Sequence, residues 1–230
     1  MRLVLFDIDG TLLLSDGAGR RAIMRALTEV YGATGPMDYH FDGKTDPQIV
    51  RELMRFAGLE DDLIDAGMAR VFERYLECLH EELGAAGHRP YALPGVPELL
   101  DALEEQPGVT MGLLTGNLRR GAQAKLDAVG LDADRFRVGA YGSDHEHRPE
   151  LPAVALARAR AVLGIEFRGT NVVVIGDTPA DLTCGHGVGA RAIGVATGRF
   201  SVAELSKHDA KAVFPDLTDT ESVVRAIVGP

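Results

Sequence analysis

The chain has 230 residues, of which 46% are hydrophobic and 25% charged, with a formal net charge of −10. That length suits one domain, or a core carrying a smaller insert, and that balance excludes a disordered chain. The negative charge excludes general attraction to nucleic acid or an anionic membrane, so an anionic ligand would need a local cation to hold it.

Residues 3–6 (Leu-Val-Leu-Phe) form a short apolar run that stops at an acidic, glycine-containing turn. This is the pattern of a buried strand with polar residues at its carboxyl end. Residues 18–31, 47–57 and 63–83 carry helical patterns. In the last of these Leu63, Ala66, Val71, Tyr75 and Leu79 approximate one face. No credible strand lies in this stretch, so residues 15–90 read as an inserted helical module with hinges at 10–16 and 88–94. A helix at 96–103 follows Pro94-Gly95, and a strand at 109–114 stops at Thr115-Gly116-Asn117. A helix at 118–129 ends at Gly130, and one at 151–163 ends at Gly164. A strand at 171–175 stops at Gly176-Asp177-Thr178, and the following helix, 180–188, ends at Gly189. Strands at 190–195 and 212–214 complete the series, and the tail from about residue 202 completes the core.

Alternating short strands and helices predict an α/β fold with a parallel sheet covered on both faces. The expected division is a core of residues 1–14 and 91–230 with a helical unit of residues 15–90. Ligands of such sheets bind outside the carboxyl ends of the strands, where the polar tips converge. Cys78 and Cys184 have no metal-ligand spacing, and Cys184 is read as a small buried thiol. No stretch approaches the ~20 apolar residues of a membrane span. Asp7 and Asp9 also interrupt the first apolar run too early for a signal peptide. The expected compartment is the cytoplasm, with no membrane and no nucleic acid as partner; the oligomeric state is not legible.

Asp7 and Asp9, spaced i, i+2 at a strand end, can divide the work of nucleophilic catalysis. Asp7 can attack phosphorus, and Asp9 can protonate the leaving oxygen and later activate water. Gly10 lets the backbone approach a phosphoryl group, with Thr11 beside it. Thr115, Gly116 and Asn117 offer a hydroxyl and backbone N–H groups to phosphoryl oxygens. Asp177 and Asp181 at a strand-to-helix junction suit Mg²⁺ held by carboxylates and water, while Thr178 caps the helix.

These three motifs, in this order, resemble the haloacid dehalogenase-like hydrolase superfamily, and within it the phosphoglycolate phosphatase-like members with an inserted helical cap. The resemblance covers the whole chain and implies a Rossmann-like core. It implies Asp7 as nucleophile and magnesium ligand, and Asp9 as acid/base with its backbone carbonyl on the metal. Thr115 would bind the phosphoryl group, Asp177 the metal, and Asp181 would support it. The family places a lysine ahead of the helix of the third motif; here residues 144–151 hold none, and Arg148 is the nearest cation. A guanidinium can hold phosphate bidentately but is not equivalent to a lysine.

Asp144, His145 and His147 are read as solvated surface, and Arg20 and Arg21 as a solvated helix face. Gly43-Lys44-Thr45-Asp46 is either a capping turn before Pro47 or a loop reaching over the site, with Lys44 touching substrate. The expected activity is Mg²⁺-dependent hydrolysis of a small phosphate ester. Asp9 argues against a dehalogenase or a phosphonate-cleaving enzyme. A sugar phosphomutase, or a weakly active binding protein that has kept the fold, stays open.

Overall fold

A computed structural model describes residues 1–85, 87 and 89–229. His88, at one end of the expected second hinge, lies outside the described residues. In chain order the first half comprises β1 (Arg2–Phe6), β2 (Leu13–Leu14), α1 (Ala18–Tyr31), α2 (Asp46–Phe56), α3 (Asp61–Gly84), β3 (Tyr91–Ala92), α4 (Val96–Glu104) and β4 (Val109–Thr115). The second half comprises α5 (Arg119–Ala128), β5 (Val138–Tyr141), α6 (Leu151–Leu163), β6 (Val172–Gly176), α7 (Pro179–Cys184), β7 (Arg191–Val195), α8 (Val202–Leu205), β8 (Ala212–Phe214) and α9 (Thr220–Val228).

Six strands make one parallel sheet in the order β5-β4-β1-β6-β7-β8. The apolar runs explain why β1 and β6 are central. Leu3, Val4, Leu5 and Phe6 are fully buried, as are Val172, Val173 and Ile175, which suits strands covered on both faces. On one face pack α4, α5 and α9, through Leu99, Leu100, Leu103, Leu126, Val223 and Ile227. On the other face α6 brings Leu151, Ala155 and Ala159. Leu5 sits in that second layer, and Leu5→Ala is expected to cost about 2–5 kcal/mol in urea unfolding, the range for a cavity cut in a closed core.

The expected fold class holds, with differences at the edges. The helix expected at 180–188 is α-helical only to Cys184 and continues as a 3₁₀ turn, Gly185–Val188, before Gly189 turns left-handed. The edge strand β5 and the helix α9 were not anticipated. The first is four residues long and carries Gly139, so it offers little apolar run to read.

Helices α1, α2 and α3 share their own apolar cluster, built from Ile23, Leu27, Val50, Leu53, Val71 and Leu79 and joined by Leu118 from the start of α5. The chain leaves the sheet layer and returns to it through the antiparallel pair β2–β3, with Leu13 opposite Ala92. Thr45 caps α2 by accepting from the Gln48 N–H at 3.2 Å, and Pro47 occupies its first turn. The same turn docks on the tip of β4. The Asp46 N–H donates to the Gly116 carbonyl at 2.7 Å, and the Leu118 N–H donates to Asp46 Oδ2 at 2.8 Å. Gly116 is needed there, because a Cβ would collide with the Lys44 carbonyl. Arg51 adds an ion pair to Glu146 at 2.8 Å.

Candidate active site

Strands β1, β4 and β6 are adjacent, so residues beyond their carboxyl ends meet. Asp7 follows β1, its N–H donating to the Ile175 carbonyl at 2.9 Å. Thr115 ends β4, and Asp177 follows β6. They border a cavity of about 210 Å³ between the sheet and the helical unit, together with Asp9, Asn117, Lys125 and Arg148.

One side of the cavity is a cluster of three acids and one guanidinium. Ligand atoms of Asp7, Asp177 and Asp181 all lie within 4.8 Å of one another, and all three residues are buried. Arg148 enters from the 3₁₀ turn before α6. Its Nη2 is 3.1 Å from Asp7 Oδ1 and also donates to Asp181 Oδ1. Burial and the neighbouring acids push Asp7 up to about 6, against the lowering effect of Arg148. Asp177 is driven well above the carboxylate range by burial and by Asp181 and Asp7. Three carboxylates against one cation leave an excess of negative charge out of water, and oxygen donors in that setting fit a hard divalent cation. The backbone makes room for Asp177: a Cβ on Gly10 or Gly198 would strike its carboxylate, and Gly10 has φ +82°.

On the other side, Asp9 presents a partly exposed carboxylate held by a second cation. Lys125 Nζ is 2.6 Å from Asp9 Oδ2 and 2.6 Å from Asn117 Oδ1. The Asn117 amide donates to Asp9 Oδ2 at 2.7 Å and to Thr115 Oγ1 at 2.8 Å. Burial would raise Asp9, but Lys125, Asn117 and Ser15 outweigh it and hold its carboxyl below the ordinary value. The two acids of one turn are therefore pushed in opposite directions.

Of the other residues singled out in the sequence, Gly116, Asn117 and Lys44 border the cavity. Lys44 is 2.7 Å from Glu52, which offsets its charge. Thr11 is fully buried and its hydroxyl donates to Asp177 Oδ1 at 3.3 Å, so it faces the acid cluster and not the cavity. Asp181 is likewise fully buried; it closes a capping box with Thr178 at the start of α7 while accepting from Arg148. His145 and His147 are exposed, and Asp144 is taken by Arg158 at 2.5 Å. Arg20 departs from expectation. It borders the cavity, lies 4.5 Å over the Phe41 ring and donates to the Tyr39 carbonyl at 2.8 Å. Its helix face packs on the loop before α2, which leaves it half-buried. Arg21 pairs with Glu82 at 2.6 Å.

Three residues escaped the sequence reading. Lys125 lies in an ordinary helical pattern, Asp46 reads only as part of a capping turn or of a loop over the site, and Tyr75 only as part of an apolar face. The available signal was periodicity: Lys125 falls seven residues after Leu118 and three after Ala122, on the buried stripe of α5.

A parallel α/β sheet with an acidic cluster at the carboxyl ends of three adjacent strands and a helical insert after the first defines a class of hydrolases. The haloacid dehalogenase-like hydrolase family model matches residues 4–186, and the chain belongs to that family. It is 25% identical over 218 residues to a phosphoglycolate phosphatase of Pseudomonas fluorescens, covering 94% of this chain and 77% of the relative. It is 26% identical over 199 residues to glycerol-1-phosphate phosphohydrolase 2 of Saccharomyces cerevisiae, covering 84% and 74%. The crystal structure of a hydrolase from Pseudomonas syringae superposes with a TM-score of 0.74 at 23% identity, covering 99% of both chains.

Proposed function

We propose that the protein is a Mg²⁺-dependent phosphatase that hydrolyses a small phosphomonoester through an aspartyl-phosphate on Asp7. The observation that carries this reading is the pair Asp7 and Asp9 on one turn, facing one cavity, with Asp7 joined to Asp177 and Asp181 in a buried acid cluster.

Asp7, Asp177 and the backbone carbonyl of Asp9 would hold the metal, with Asp181 supporting it from behind. Bound there, Mg²⁺ would neutralise the excess of carboxylate charge and the charge of a phosphoryl group. A carboxylate oxygen of Asp7 attacks phosphorus as the ester P–O bond breaks, and Asp9 gives its proton to the leaving oxygen. Asp9 then takes a proton from water as that water attacks phosphorus, releasing phosphate and restoring Asp7. Arg148 holds Asp7 in place and adds positive charge beside the transferring group. Thr115, Gly116 and Asn117 receive the phosphoryl oxygens at the tip of β4.

Residues 15–90 act as a cap in this reading, with β2 and β3 as its connections. Its wall of Ile23, Phe41, Ile49, Arg20 and Lys44, around about 210 Å³, suits a substrate of few atoms beyond the phosphate. Closure over the site excludes bulk water, leaving room for the one that reacts. Both cysteines are free and buried, which fits a reducing cytoplasm. Among the described residues no helix is long and apolar enough to cross a membrane.

The test is phosphate release from a panel of small phosphomonoesters, with and without Mg²⁺. Turnover that requires Mg²⁺ is expected. A sugar phosphate isomerised without release of phosphate would replace this reading with a mutase, and absence of any turnover would overturn it.

A further inference from the structure

We infer that Lys125 is a positioning residue for Asp9, locked in place by the three helices of the inserted unit. The inference rests on the phosphatase reading and extends it to a residue outside the nucleophile, phosphoryl and metal motifs.

Lys125 is only 4% exposed, an unusual state for a lysine unless its charge is met. It is enclosed from two sides. From the sheet layer, Asp9 Oδ2 and Asn117 Oδ1 each lie 2.6 Å from Nζ. From the helical unit, Asp46 at the start of α2 and Tyr75 of α3 border the same cavity as Lys125, and the Tyr75 hydroxyl lies on the same side of Gly19 as Nζ. Gly19 of α1 completes the enclosure: a Cβ there would stand 3.2 Å from Nζ.

The consequence for Asp9 lies in how its two oxygens are used. Oδ2 accepts from both Lys125 and Asn117, at 2.6 and 2.7 Å. Among the described residues, Oδ1 receives only a long contact from Ser15, at 3.4 Å. Two short, charge-assisted bonds on one oxygen fix the rotamer and leave the other for the proton in transit. Lys125 therefore presents Asp9 Oδ1 to the leaving group. It does so only when Gly19, Asp46 and Tyr75 are seated around it, so docking of the helical unit completes the acid/base group.

The test compares kcat/KM of wild type and Lys125→Met on a small alkyl phosphate and on p-nitrophenyl phosphate. An alkoxide leaving group needs a proton, whereas nitrophenolate leaves with little help. Lys125→Met is expected to lose about 100-fold on the alkyl ester and less than about 10-fold on the aryl ester. Ethylamine added to Lys125→Ala is expected to recover about 10-fold or more on the alkyl ester, by supplying the missing ammonium. Equal losses on the two esters overturn the inference, since a structural role or a lost substrate contact does not sort by leaving group. Unchanged turnover, or no recovery with amine in a variant whose Tm matches wild type, also overturns it. Wild-type protein that turns over neither ester removes the phosphatase reading, and the inference with it; an active wild type with an unaffected Lys125→Met removes the inference alone.

Discussion

Asp7→Asn is expected to abolish phosphate release, with a loss of at least about 10³-fold, while making the metal-free protein more stable at neutral pH. The first effect follows from removing the attacking oxygen's charge, which no neighbouring group can supply. The second follows from burial. Asp7 is raised from 3.8 to about 6 in the folded chain, so its ionised form is disfavoured there relative to the unfolded chain. An acid raised in this way adds stability below about pH 4, loses it as pH rises through 6, and above that leaves the folded state carrying a penalty. The neutral amide carries no such penalty. A gain of about 2 kcal/mol at pH 7.5, roughly 4–8 °C in Tm, is expected without Mg²⁺, vanishing near pH 4. Thermal melts of both proteins across that range, beside the turnover assay, check it. An active Asp7→Asn protein would rule out the aspartyl-phosphate route.

Arg148→Ala should have the opposite effect on stability and a similar direction of effect on activity. Arg148 is the cation shared by Asp7 and Asp181 inside the cluster, and its side chain is 5% exposed. Removing one partner of a buried pair strands the other, at a cost of about 3–5 kcal/mol at pH 7.5. Without Arg148 the carboxyl of Asp7 rises above its present value of about 6, since the guanidinium acts to lower it. The deficit should therefore be largest above neutrality and shrink as pH falls toward 5 and that carboxyl takes up a proton. Turnover should fall by about 10²–10³-fold, the scale of losing one charged stabiliser of the transferring group. Arg148→Lys should recover part of the stability but not the simultaneous grip on two carboxylates. Denaturant unfolding at pH 7.5 and pH 5 separates this from simple loss of packing, which would cost the same at both.

The sheet was legible in the sequence because its central strands are pure apolar runs ending at polar turns, as in residues 3–6 and 171–175. The gathering of Asp7, Thr115 and Asp177 was legible for the same reason, since adjacent parallel strands bring their tips together whatever the intervening chain does. What escaped reading lay where a residue's neighbours come from distant segments. Periodicity places Lys125 on the buried stripe of α5, but nothing local names its partner, an acid 116 residues away. Asp46 reads locally as a helix-start residue, and only the docking of its turn on Gly116 and Leu118 turns it inward. Arg20 was misplaced because the loop carrying Phe41 and Tyr39 folds over it, an arrangement with no periodic signal. Strand β5 was missed for a local cause, its brevity and glycine.

The antiparallel pair of β2 and β3 has a topological consequence. Leu13 stands opposite Ala92, and the Leu93 N–H donates to the Leu12 carbonyl at 2.9 Å. Entry and exit of the helical unit are thus side by side on a two-strand stalk within the connection from β1 to β4. A different lid could be grafted onto that stalk without rethreading the sheet. The graft would inherit Asp7, Thr115 and Asp177 intact, but it would have to bring its own counterparts of Gly19, Asp46 and Tyr75. In the proposed reading, specificity is transplantable only together with the few side chains of the lid that enclose Lys125.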